Sequence, residues 1–101
     1  MNVTEFVSRA MSDRHFLVEA FGHVPQESLQ VQVPESERGD VGGVLAKYLW
    51  PYAEDEGLAF TEDELRTECA RQTESLKGLA RVRLAGRIVK SVTKAIRERE
   101  Q

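Results

Sequence analysis

The sequence predicts an all-α fold: a small bundle of about five helices with an extended loop at about 23–43. Three observations lead there. Apolar residues recur at helical spacing along most of the chain, side chains able to cap a helix stand where those runs begin, and glycines stand where they end. At 101 residues the chain is sized for a single domain.

The first run opens with Asn2 and Glu5, which have capping-box spacing with Asn in the cap role. Phe6, Val7, Ala10 and Met11 follow at helical intervals. Ser12 and Asp13 offer a second cap, because a side-chain oxygen there can accept from a free amide of the next helix. Phe16, Leu17, Ala20 and Phe21 form the next apolar stripe, and Gly22 is a natural stop through positive φ. The N-terminal part therefore reads as two short helices, or one helix bent at Asp13.

Between 23 and 43 the composition changes. Pro25, Pro34, Gly39, Gly42 and Gly43 disfavour helix. Leu29, Val31 and Val33 alternate with Gln30 and Gln32, the period of a half-buried strand. A lone strand has no sheet to join, so an extended loop pinned by these apolar residues is expected.

Helical spacing returns with Val44, Leu45, Tyr48, Leu49, Tyr52 and Ala53, with Asp40 as candidate cap. Pro51 removes an amide donor within this run and predicts a kink or break near Trp50. Gly57 ends the helix, and Thr61 with Glu64 forms a capping box for the next. Leu65 and Cys69, extended by Gln72 and Leu76, mark the inner face of that helix, and Gly78 is either its stop or a weak point in a longer helix. In the last segment Val82, Ala85, Val89, Val92 and Ile96 step by three and four residues, a heptad seam that predicts self-association.

The formal charge of −3 conceals an asymmetry. Residues 1–76 carry six Lys/Arg against fifteen Asp/Glu, a net of −9; residues 77–101 carry eight against two, a net of +6. The chain thus divides into an acidic helical body, 1–76, and a basic amphipathic C-terminal helix, 77–101. No run approaches the roughly 18 apolar residues of a membrane span, and no basic-then-apolar signal stretch opens the chain. The single cysteine, Cys69, cannot form an internal disulfide or a cysteine-rich zinc site, so a reducing, cytoplasmic setting is expected.

Each candidate site has a plainer structural reading. His15 and His23 have no cysteine near them and lack further ligands at metal spacing. Cys69 has only Arg66 and Arg71 close by, neither able to take its proton, so a buried small hydrophobe is expected. Glu54-Asp55-Glu56 and Glu62-Asp63-Glu64 point in different directions on a helix and cannot converge on one ion. Neither a phosphate loop nor a nucleophile elbow occurs, so no cofactor, no metal and no enzymatic activity are expected. The cluster Tyr48, Trp50, Pro51, Tyr52 reads first as core, since one face of its helix must pack, with Trp50 the residue best placed to serve core and surface together. Arg81, Arg83, Arg87, Lys90, Lys94 and Arg97 form a basic surface suited to nucleic acid, an anionic surface or the protein's own acidic body.

Two stretches carry a family resemblance. One is Thr4 to Ala20: a Phe, a short helix, an Asp-led turn and an apolar helix. The other is Leu45 to Ala70, centred on Ala53-Glu54-Asp55-Glu56-Gly57-Leu58-Ala59-Phe60-Thr61-Glu62-Asp63-Glu64-Leu65. Over about half the chain this pattern resembles the Nif11 family of small helical domains, which occur as standalone proteins near nitrogen-fixation genes and as leader regions of ribosomally made, modified peptides. The resemblance implies a non-catalytic module recognised by a peptide-modifying enzyme. The segment after Leu76 has no cysteine and only Ser91 and Thr93 as hydroxyls, unlike a peptide core that is to be modified.

The leading expectation is a helical interaction module that meets a protein partner through Phe16, Phe21, Trp50 and Tyr52. The alternatives are a nucleic-acid or anionic-surface binder using the basic helix, and a small inhibitor or regulator presenting the acidic stretch 54–68.

Overall fold

The computed structural model describes residues 1–25, 27–28 and 40–99. Five helices account for most of these: α1 Val3–Ser12, α2 Arg14–Phe21, α3 Val41–Asp55, α4 Glu62–Glu74 and α5 Leu79–Arg99. No strand is present among the described residues, and the fold is an all-α bundle. The alternating residues Leu29, Val31 and Val33 lie outside the described part.

Local chemistry sets the helix ends. The Asn2 side chain accepts from the Glu5 amide at 2.8 Å and donates to its carboxylate at 3.2 Å. Asp13 ends α1 and begins α2: its own amide donates to the Arg9 carbonyl, while its carboxylate accepts from the amides of His15 and Phe16 at 3.0 and 3.2 Å. The bend between α1 and α2 is therefore one residue wide. Gly22 closes α2 at φ −61°, an ordinary helical value, so the expected positive φ is not used. The nearest atoms to a Cβ there are carbonyls of its own preceding turn, the Glu19 oxygen at 3.1 Å.

α3 begins earlier than expected. Asp40 accepts from the Gly43 amide at 3.0 Å, which draws Gly42 and Gly43 out of the loop and into the first turn. Gly42 is required by packing. A Cβ on it would meet the Thr73 hydroxyl at 2.6 Å and the α4 backbone at Ala70 and Cys69 at 3.1 Å. α3 and α4 form the most extensive helix pair of the bundle, and this glycine lets their backbones approach. Pro51 does not break α3, which runs through it to Asp55. The carbonyl left without a donor belongs to Lys47, an exposed residue, where water can serve it.

The corner between α3 and α4 follows the sequence closely. Gly57 takes φ +65°, its amide donates to the Glu54 carbonyl, and the Leu58 amide donates to that of Ala53. This is the paired bonding of a Schellman stop. Thr61 and Glu64 exchange side chain and backbone at 3.1 Å in both directions. Phe60 and Leu65, at the two staple positions of this box, are both buried.

The core is built on aromatic rings that meet mostly edge-on or tilted. The Phe6 ring lies 5.4 Å from Phe16, 5.3 Å from Phe60 and 6.0 Å from Tyr52, and Phe21 lies 5.6 Å from Tyr48. Phe16 and Phe21 are fully inside, so they offer a partner no surface; this corrects the expectation of a partner face through them. The reason is area: each ring removes on the order of 150–250 Å² from water, and a bundle this small spends its largest side chains on itself. Trp50 and Tyr52 pack against the core and stay half-buried. Burial, with Glu19 and Glu56 nearby, raises the pKa of the Tyr52 phenol.

A polar network ties α4 to α1. The Gln72 amide donates to the Thr4 carbonyl at 3.1 Å and to Glu68 at 2.6 Å, and its oxygen accepts from Ser8 at 3.0 Å. Arg71 donates to Glu68 at 2.9 Å through Nε and also through Nη2. These donors from Arg71 and Gln72 hold the Glu68 carboxyl below the usual carboxylate range.

α5 lies on α2 and touches α3. Its buried residues are Leu84, Ile88, Ser91, Val92 and Ala95. The expected seam is therefore not one face. Of Val82, Ala85, Val89, Val92 and Ile96, only Val92 is buried, Ala85 and Ile96 are half-buried, and Val82 and Val89 are exposed. Leu84 and Ile88 recur at helical spacing too, and their larger side chains take the inward side, which rotates the valines outward.

Candidate functional site

Two arginines fasten α5 to the body through helix ends rather than acidic side chains. Arg87 donates to the Met11 carbonyl in the last turn of α1, and Arg99 donates to the carbonyls of Phe21, at 3.2 Å, and Gly22, where α2 ends. Unsatisfied carbonyls and the negative end of the helix dipole favour a cation at such places. Arg87 therefore leaves the expected basic surface and becomes a structural contact. Arg81 is half-buried. Arg83, Lys90, Lys94 and Arg97 are exposed.

The outer side of α5 is the largest exposed apolar feature among the described residues. Leu79, Val82 and Val89 are 63%, 65% and 46% exposed. At about 100° per residue, Val82, Gly86, Val89 and Thr93 fall within about 60° of one another, opposite Leu84, Ser91 and Ala95. A Cβ added at Gly86 meets nothing within 4 Å, so this side is open between Val82 and Val89. The four exposed cations run along one edge of the stripe. The helix is thus amphipathic twice: one apolar side buries in the bundle and the other faces water beside a basic edge.

The remaining candidates are structural. The His23 ring bonds Asp55 at 2.8 Å through Nδ1 and stands edge-on to Tyr52 at 4.9 Å, which ties the end of α2 to the end of α3. Cys69 is buried, and desolvation pushes its thiol pKa up to about 12, so the nucleophilic thiolate is absent at neutral pH. Glu62 pairs with Arg66 at 3.0 Å and Glu64 serves the capping box, so this acidic run is spent on its own helix. Among the described residues no three His, Cys, Asp or Glu side chains converge as a metal site would need, and no helix is long and apolar enough to cross a membrane.

Sequence reasoning found the basic helix but missed its outward stripe, because Val82 and Val89 had been assigned to a seam shared with Val92. The signal was present: Leu84 and Ile88 form a competing stripe of larger side chains. Comparison with protein-family models, curated proteins and solved structures returns no match, and the site stands on its own geometry.

Proposed function

We propose that this protein is a non-catalytic helical interaction module that meets an acidic protein surface with the outer side of α5. One observation carries the reading: Leu79, Val82 and Val89 are exposed in line beside exposed Arg83, Lys90, Lys94 and Arg97. Exposed apolar side chains in a row mark contact surfaces, and the cations would steer an acidic partner and set its orientation. An antiparallel second copy is a poor partner, since the two basic edges would lie side by side. The Nif11 resemblance supports a peptide-modifying enzyme as the partner class, and the Gly57 to Leu65 corner that carries it has the stop and capping box such a pattern implies.

Capture from native lysate tests this with wild type beside the double variant Val82→Asp/Val89→Asp and the double variant Arg83→Glu/Arg97→Glu. The expected result is a captured protein that both variants lose and that added salt weakens. Equal recovery by all three chains would sink the reading.

Nucleic acid is the second reading, favoured by the spacing of the four cations over residues 83–97, about 21 Å of helix. It ranks lower because no aromatic side chain occurs in α5 for stacking. Binding to short single-stranded or duplex probes that falls steeply with salt and ignores the Val82 and Val89 changes would reverse that order.

A further inference from the structure

A concavity lies between the start of α2 and the later part of α5. Its volume is about 270 Å³, and it is lined by Arg14, His15, Val18, Lys90, Ser91 and Lys94. Three cations and a histidine from two helices thus share one small cleft, with no acid among its described walls. Arg14, Lys90 and Lys94 hold no hydrogen bond or ion pair with any described residue. The nearest acid in sequence, Asp13, is already committed: one carboxylate oxygen serves the amides of His15 and Phe16, and the other stands 3.9 Å from Arg9. Because Asp13 takes those amides, the recognition groups here are side chains and not the end of a helix.

The floor is dry. Val18 and Ser91 are buried, and the Ser91 hydroxyl spends its proton on the Arg87 carbonyl at 2.7 Å. A concave wall of like charge over a low-dielectric floor concentrates the field and draws in a counter-ion. The charge and donors select its class. Three fixed positive charges with the arginine fork suit a group of about two negative charges and several acceptor oxygens, the description of a phosphoryl group. The volume lies below the roughly 300–1,000 Å³ of pockets for drug-sized ligands, which points to a small ion.

We propose that this cleft binds a small phosphorylated anion, of the size of inorganic phosphate or a diphosphate group. Lys90 and Lys94 are shared with the protein-docking reading, but Arg14, His15 and Val18 belong to α2 and take no part in the outer stripe, so the cleft can be tested apart from it.

The test is a titration of the full chain with inorganic phosphate and with pyrophosphate, at ionic strength held constant with sodium chloride, followed by amide NMR shifts. The expected result is saturable shifts concentrated on Arg14, His15, Lys90, Ser91 and Lys94, tighter for pyrophosphate. The double variant Arg14→Gln/Lys90→Gln should weaken binding about tenfold or more, since each lost contact is charge-assisted. The control Arg83→Gln/Arg97→Gln, outside the cleft, should stay within about twofold. Linear shifts that do not saturate, shifts spread equally over Arg83 and Arg97, or unchanged affinity in the Arg14/Lys90 variant would each overturn the proposal. The Val82→Asp/Val89→Asp variant separates the two readings: it should lose a protein partner and keep pyrophosphate.

Discussion

Two periodic apolar patterns in this chain end in different places. In the body, Phe6, Phe16, Phe21 and Tyr48 all go inside, each ring in contact with a ring from another helix. In α5, a pattern of equal regularity splits, with Val92 inside and Val82 and Val89 in water. Position in the bundle decides the outcome. α3 is packed by α2, α4 and α5, so its sides find partners, whereas α5 rests mainly on α2, with a smaller contact to α3 and the Arg87 bond to α1. A helix covered on one side can bury one stripe. A sequence that gives it two leaves the second for something else, which is why the outer side of α5 is the better interaction candidate and the aromatics are not.

The largest effect should come from the ring at the centre of the body. Phe6 touches Phe16, Phe60 and Tyr52 and therefore joins α1 to α2, to α3 and to the α3–α4 corner. Phe6→Ala should lower the unfolding free energy by about 3–5 kcal/mol, through lost burial and the cavity left behind. Chemical denaturation monitored by far-UV circular dichroism measures it. A loss near that of a surface residue would break the comparison at its stronger end.

The same small substitution should act with opposite sign in the two regions. Gly42 sits where α3 meets α4, and an added methyl would strike the Thr73 hydroxyl and the backbone of α4. Gly42→Ala should cost about 1–3 kcal/mol as overpacking, despite the gain in helix propensity. Gly86 is helical, exposed and surrounded by open space, so Gly86→Ala should stabilise by about 0.4–1 kcal/mol. Paired thermal melts test both. Two shifts of the same sign would mean that the contrast between a packed body and an open outer stripe is misplaced.

How much of this could be read from the sequence depends on the range of the interactions. The caps at Asn2, Asp13, Asp40 and Thr61, and the stop at Gly57, were legible because each acts within a few residues, and every one makes its expected bond or angle. Gly42 and Gly43 were misread as loop because glycine disfavours helix locally, while the approach of α4 that requires Gly42 comes from about thirty residues away. Arg87 reads as surface charge for the same reason, and Arg99 draws no reading at all: their carbonyl partners lie on α1 and at the end of α2, and no local pattern announces them. The face that α5 turns inward was ambiguous because two stripes share one helix. Size broke the tie, with Leu84 and Ile88 prevailing over Val82 and Val89.

The smallest expected effect is the most informative about function. If the outer stripe has no part in the fold, Val82→Ser and Val89→Ser should each change stability by no more than about 0.5 kcal/mol, even though identical changes at Val92 or Ile88 would place a hydroxyl in the core. Exposed apolar side chains that do nothing for stability are free to contact another molecule, so neutrality here is what the docking reading requires. Equilibrium urea unfolding of the two single variants and the double variant makes the measurement. A loss of 1 kcal/mol or more at either site would mean that the stripe is covered within the chain itself, and the outer side of α5 would have to be given back to the fold.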